Sequence, residues 1–102
     1  MRTKLTTLDE AATHIESSSQ LVMSANLHRP PMALLRAVVK RGVNDLRVVG
    51  VVGGDINIDF LVGAGAASIV DTCSVTLGEF ARTGPNFARN VEAGRVRALD
   101  NT

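Results

Sequence analysis

The stretch Leu46-Arg47-Val48-Val49-Gly50-Val51-Val52, followed at once by Gly53-Gly54-Asp55, decides the fold of this 102-residue chain. It is a nearly unbroken β-branched run, and such a run suits a strand covered on both faces, as in parallel sheets. Val49 and Val51, at its centre, are accordingly expected in the core. Gly53-Gly54 leaves the strand, and Asp55 is a good N-cap for a short helix over 56–62, closed by Gly63 or Gly65.

The same alternation extends in both directions. Upstream, Asn44-Asp45 makes the turn into the strand, and Gly42 stops a helix over about 31–41 that Pro30-Pro31 opens and that carries Leu34, Leu35, Val38 and Val39 on one face. Before it, Leu21, Val22 and Met23 form a short strand over 20–24, followed by the polar loop Asn26-Leu27-His28-Arg29. Thr7-Leu8-Asp9-Glu10 has the form of a capping box, and the spacing of Leu8, Ala11, Ala12 and Ile15 carries that helix to about Glu16. Downstream, a third strand is expected over 68–75, then a helix opened by Pro85 with Phe87, Ala88 and Val91, and after Gly94 a fourth strand over 95–99. One helix fits in every gap between strands, which is the mark of right-handed βαβ units. The expectation is an α/β fold: residues 1–102 as a single partial domain, a parallel sheet of about four strands with intervening helices. The last edge strand would be bare, so more chain or another subunit is expected beside it.

Composition narrows the function. Eleven basic residues against ten acidic ones leave a charge of +1, without the basic excess that phosphate-backbone binding needs, so no nucleic-acid partner is expected. No apolar run approaches the about twenty residues that span a bilayer, so no membrane partner is expected either. Cys73 is the single cysteine, and with no internal disulfide and no apolar leader after Met1-Arg2-Thr3-Lys4 the chain reads as reduced and cytosolic. Two histidines and one cysteine without ligand spacing argue against a metal site. Cys73 itself reads as an inert core thiol in an apolar strand.

In an open parallel sheet, ligands collect outside the carboxyl ends of the strands. Four stretches qualify there, 24–29, 53–55, 74–79 and 100–102, and the first three carry the candidate residues. Gly53 and Gly54 either bring backbone close to a phosphate or acyl group or simply make a tight turn. Arg29, beside His28 in the loop after the first strand, either clamps a carboxylate or phosphate in bidentate fashion or stands in solvent. Asn26 lies in the same loop. Glu79, beside Gly78 at the mouth of the third strand, is the one glutamate at this edge and is a weak catalytic candidate, with solvation as its ordinary alternative. Gly63-Ala64-Gly65 follows a helix and precedes a strand, the wrong order for a dinucleotide loop, and no GxSxG elbow is present.

The order of these pieces resembles the N-terminal part of the α subunit of family I coenzyme A transferases, nearest the glutaconate CoA-transferase branch, with its Rossmann-like fold. The resemblance runs from Leu8 to Leu99. It is carried by Leu8-Asp9-Glu10-Ala11, by Arg29-Pro30-Pro31-Met32-Ala33 and by Arg41-Gly42-Val43-Asn44-Asp45-Leu46. Further on come Gly53-Gly54 before Asp59-Phe60-Leu61-Val62-Gly63, then Gly84-Pro85-Asn86-Phe87-Ala88-Arg89 and Glu92-Ala93-Gly94. Family members carry a Gly-Gly-Phe-like segment after the first strand, where this chain has Ser24-Ala25-Asn26. The resemblance implies transfer of CoA between carboxylic acids through a glutamyl-CoA thioester on a β-type partner subunit. No cofactor would be held permanently, a CoA thioester and a carboxylic acid would be the substrates, and the assembly would be a hetero-oligomer. Asn26, Arg29, Gly53 and Gly54 would then shape the acyl or CoA site. Relatives of this fold also hydrolyse or decarboxylate CoA esters, and a noncatalytic docking or remnant domain is the remaining alternative.

Overall fold

The structure, a computed structural model, describes residues 5–24, 30–51 and 53–100. Eight elements alternate along the chain: α1 (Leu8–Ala12), β1 (Gln20–Ser24), α2 (Met32–Lys40), β2 (Leu46–Val51), α3 (Ile56–Gly63), β3 (Ala67–Thr72), α4 (Pro85–Glu92) and β4 (Arg97–Asp100). The strands form one all-parallel sheet in the order β1-β2-β3-β4. The expected α/β class is therefore the observed one.

Strand order fixes where the core lies. When parallel strands follow one another across a sheet and every crossover is right-handed, all the helices fall on the same face. Alternate residues of each strand then meet helices or do not. On the helix side, Met23, Leu46, Val48, Ala67 and Val70 pack with Ala12, Leu35, Val38, Ile58, Leu61 and Val62 into one buried cluster. A register shift between Leu46 and Arg47 makes Ala67 pair with Leu46 and Ile69 with Arg47, so Ser68 is the extra residue. That bulge lets both Ala67 and Val70, three positions apart, face the helices.

Val49 and Val51 are not core residues. The register Val22–Val49–Asp71–Leu99 lies on the opposite face, where Val49 is half-buried and Val51 is 48% exposed. A run that is aliphatic at every position hides which of its two faces is covered, and here only one is. Cys73 also departs from expectation: β3 ends at Thr72, and the thiol stands exposed beyond it.

Local chemistry accounts for the shifted boundaries. α1 stops at Ala12 because Arg41, at the end of α2, donates to the carbonyls of Ala12 (2.9 Å) and Ile15 (3.3 Å), so the chain turns there. β4 begins at Arg97 because the amides of Arg95 and Val96 are taken by the Asn90 carbonyl. At the start of α1 the capping box forms, with Thr7 Oγ1 accepting from the Glu10 amide at 3.2 Å. The Thr6 hydroxyl donates to the Glu10 carboxylate at 2.5 Å. That hydroxyl first, and then the Thr7 backbone amide, holds the Glu10 carboxyl below its ordinary value.

Two outcomes follow. In urea melts Val48→Ala should cost about 1–3 kcal/mol, by lost transfer energy and a residual cavity, while Val51→Ala stays within about 0.5 kcal/mol. A lowered folded-state pKa stabilises above the unfolded-state value, and that contribution is lost as pH falls through the folded value. Glu10 should therefore titrate below a model-peptide glutamate by NMR, with α1 loosening on the acid side of its midpoint. Thr6→Val should move that midpoint up.

Candidate functional site

The carboxyl edge of the sheet is assembled around the exit from β2. Gly54 forms an isolated parallel bridge with Val75: its amide donates to the Ser74 carbonyl at 2.6 Å, and its carbonyl accepts from the Thr76 amide at 3.2 Å. The chain leaving β2 is thus held to the chain leaving β3. Thr72 reinforces this from within, its hydroxyl lying 3.3 Å from the Gly50 carbonyl and 3.4 Å from that of Ser74.

Both glycines have a packing reason. Gly53 has φ +119°, which side-chain-bearing residues rarely adopt. A Cβ on Gly54 would sit 2.6 Å from Ile58 Cδ1, in the core. A Cβ on Gly53 would point toward Ser74 Oγ and Cys73 Sγ, at 3.3 and 3.6 Å. Exposed Cys73 and Ser74 therefore form a small polar ledge at the sheet edge, with Gly53 buried against them.

Asn57 ties this ledge to β1. Although only 1% exposed, it is fully engaged: Oδ1 accepts from the amides of Asp55 (3.2 Å) and Ile58 (2.9 Å), and Nδ2 donates to the Ser24 carbonyl (3.3 Å). The end of β1 and the start of α3 are thus fixed relative to each other by one side chain. Asp55 serves as the expected N-cap, accepting from the Ile56 amide at 2.6 Å. Two residues after Asn57, buried Asp59 does the same for α4. Its Oδ1 accepts from the Phe87 amide (2.8 Å) and its Oδ2 from Asn86 Nδ2 (3.0 Å). The N-cap of α4 is Gly84, which has no side chain to offer, and Gly84 leaves room for the Asp59 carboxylate in its place.

Sequence patterns singled out neither Asn57 nor Asp59 for a role. The signal is nonetheless present, because Ile56-Asn57-Ile58-Asp59-Phe60-Leu61-Val62 is apolar on every side of a helix. Such a helix is buried, so polar residues within it must have partners.

The candidate residues are only partly brought together. Gly53 and Gly54 lie at the carboxyl edge beside the ledge, but both are buried. Glu79 is exposed on the loop after Val75 and makes no hydrogen bond or ion pair among the described residues. That loop is folded on itself, with the Leu77 amide and the Thr76 hydroxyl both donating to the Ala81 carbonyl. Asn26, His28 and Arg29 lie outside the described residues. Open clefts lie elsewhere among the described residues. One of about 330 Å³ is lined by Asn44, Asp45, Asn90 and Arg95 at the amino edge, and one of about 490 Å³ runs between α1 and α2. Among the described residues no cluster of three or more His, Cys, Asp or Glu side chains is placed to hold a metal ion. No described helix is long and apolar enough to cross a membrane.

No known family pattern and no curated protein matches the chain by sequence. Solved structures do match. The chain is similar to glutaconate coenzyme A-transferase from Acidaminococcus fermentans, with a TM-score of 0.85 and 22% identity over 98% of this chain and 32% of that one. It is also similar to a cysteine-to-serine variant of the decarboxylase AibA/AibB, with a TM-score of 0.78 and 24% identity over 95% of this chain and 38% of that one. The likeness is one of fold, and the chain spans about a third of the length of either structure.

If Asn57 and Asp59 act as described, Asn57→Ala and Asp59→Ala should each cost about 1–3 kcal/mol by leaving buried amides unsatisfied. Amide exchange should separate them. Asn57→Ala should speed exchange at Asp55 and Ile58, and Asp59→Ala at Phe87.

Proposed function

We propose that this chain is a subunit or fragment of a coenzyme A transferase, moving CoA between carboxylic acids with the nucleophile supplied by a partner subunit. The observation that carries this reading is the shared fold with glutaconate CoA-transferase over 98% of the chain, joined to exposed Cys73 and Ser74 at the sheet edge, where parallel α/β folds place ligands. Residues 1–102 serve as one partial α/β domain and form a wall of the acyl pocket. Gly53 and Gly54 bring backbone close to the bound acyl group, and Asn26 and Arg29 contact its carboxylate or a CoA phosphate. CoA thioester and acid are substrates, and no cofactor is held.

The need for a partner is chemical. A partner glutamate takes CoA from the first thioester, releasing the first acid as its carboxylate. The glutamyl-CoA thioester then yields CoA to a second carboxylate and the glutamate is restored. Attack requires a carboxylate about 3 Å from the acyl carbon, with donors for the developing oxyanion. Glu79, exposed on its loop, makes no hydrogen bond or ion pair among the described residues that would orient it for attack.

A second reading, decarboxylation of a CoA ester, is favoured by the likeness to AibA/AibB. The two separate by product, since only decarboxylation releases carbon dioxide without a second acid.

The test uses Cys73, the single cysteine, which is exposed on the ledge. Alone, the chain should show no CoA exchange between acetyl-CoA and glutaconate. With a β-type subunit, exchange and a glutamyl-CoA mass on the partner should appear. N-ethylmaleimide on Cys73 should then lower exchange at least tenfold while circular dichroism is unchanged, and Cys73→Ser should be immune. Exchange by the lone chain, abolished by Glu79→Ala, would make Glu79 the nucleophile and overturn this reading. Assembly with the partner but no exchange would leave a noncatalytic docking domain.

A further inference from the structure

The cleft at the amino edge of the sheet takes no part in the CoA reading, which places the thioester at the opposite edge. It offers about 330 Å³, at the lower end of the range for small-molecule sites. Its base is apolar, formed by buried Val62, Ala67 and Val96. Its walls carry one charge of each sign, Asp45 and Arg95.

The two charges do not meet. Asp45 precedes β2 by one residue and Arg95 precedes β4 by two, and β3 lies between those strands. The two chain segments are therefore two strand spacings, about 9.6 Å, apart. Among the described residues the ion pair is Arg47–Asp71, and neither Asp45 nor Arg95 joins one.

Each wall is fixed without the other. Arg95 Nε donates to Asn90 Oδ1 at 2.9 Å, and Asn90 Nδ2 donates to the Asn86 carbonyl at 2.7 Å. The guanidinium is thus anchored to α4 through Nε, which leaves its two terminal nitrogens as the planar donor pair that suits a carboxylate. On the facing wall, the Asn44 amide donates to Ser17 Oγ and the Asn44 carbonyl accepts from the Ser18 amide, both at 3.1 Å. Asp45 follows with a left-handed backbone, φ +56°. Helices α2, α3 and α4 end at this edge, and their terminal carbonyls favour a cation.

We infer that this cleft binds a small zwitterion, an aliphatic α-amino acid, with its ammonium on Asp45, its carboxylate on Arg95 and its side chain over Val62, Ala67 and Val96. A ligand with a single charge would leave one wall unpaired. A polyanion would set its surplus charge against Asp45 and the helix ends. The inference rests on this cleft alone and is independent of the CoA reading.

The probe is L-leucine, titrated into the isotope-labelled full chain and followed through backbone amide shifts. Two analogues carry one charge each: 4-methylpentanoate lacks the ammonium, and 3-methylbutylamine lacks the carboxylate. Leucine should shift the amides of Asp45, Ala67, Arg95 and Val96 saturably and bind at least tenfold tighter than either analogue. Asp45→Asn, which keeps a residue that tolerates the left-handed backbone, and Arg95→Gln should each weaken leucine at least tenfold with circular dichroism unchanged. Lys40→Gln, in the α1–α2 cleft, should leave binding unchanged. No saturable shift with leucine, an analogue that binds as tightly as leucine, or full affinity in the Asp45 or Arg95 variant would overturn the inference.

Discussion

The whole molecule depends on one geometric constraint, the right-handed crossover. Applied to strands in sequential order, it puts the three crossover helices α2, α3 and α4 on one face of the four-stranded sheet, where α1 packs beside α2, and no described helix on the other. Burial, charge and the candidate site all follow from that asymmetry. The core is one layer thick on the helix side, where Leu46, Val48 and Val70 are wholly buried. The other face keeps aliphatic residues and the Arg47–Asp71 ion pair in contact with solvent. An ion pair so exposed contributes about 0–1 kcal/mol, so its value here lies in setting the charge pattern of the face.

Within this frame α3 acts as the connector. Its first residues carry Asp55 as cap and Asn57 as the link to β1, and Asp59 reaches across to α4. Three polar side chains in succession along one buried helix hold the end of β1, the exit of β2 and the start of α4 in register. The ledge of Cys73 and Ser74, with Gly53 buried against it, inherits its shape from these bonds, because Gly54 is held to Ser74 and Thr76 on one side and to Ile58 beneath it on the other. An edge built this way is fixed by its own backbone bonds, which is the positioning that the proposed pocket would require.

Strands and helices were legible because aliphatic runs alternate with helical stripes and each is punctuated by Gly, Pro or Asn-Asp. Even β1, five residues long, has the expected bounds. What could not be read was the sidedness of β2. Val48 and Val49 are the same residue type in the same run, yet one is fully buried and the other is not, and only the strand order distinguishes them. Arg47, in phase with Val49 and Val51, was the one polar sign of the open face. Cys73 was misplaced because Val75 looks like a continuation of β3, whereas it rejoins the sheet only through its bridge to Gly54. The two glycines of the candidate site were visible in sequence, but their packing duties toward Ile58 and the backbone turn depend on residues brought together by folding.

The central claim is that the carboxyl edge of the sheet, and neither open cleft, meets the CoA ester. Its most direct test is a titration of the isotope-labelled chain with acetyl-CoA followed through backbone amide shifts. The account predicts that the shifts concentrate at Gly53, Gly54, Cys73 and Ser74 and fade toward the amino edge. Shifts confined to Asn44, Asn90 and Arg95, or to Arg36 and Lys40 between α1 and α2, would contradict it.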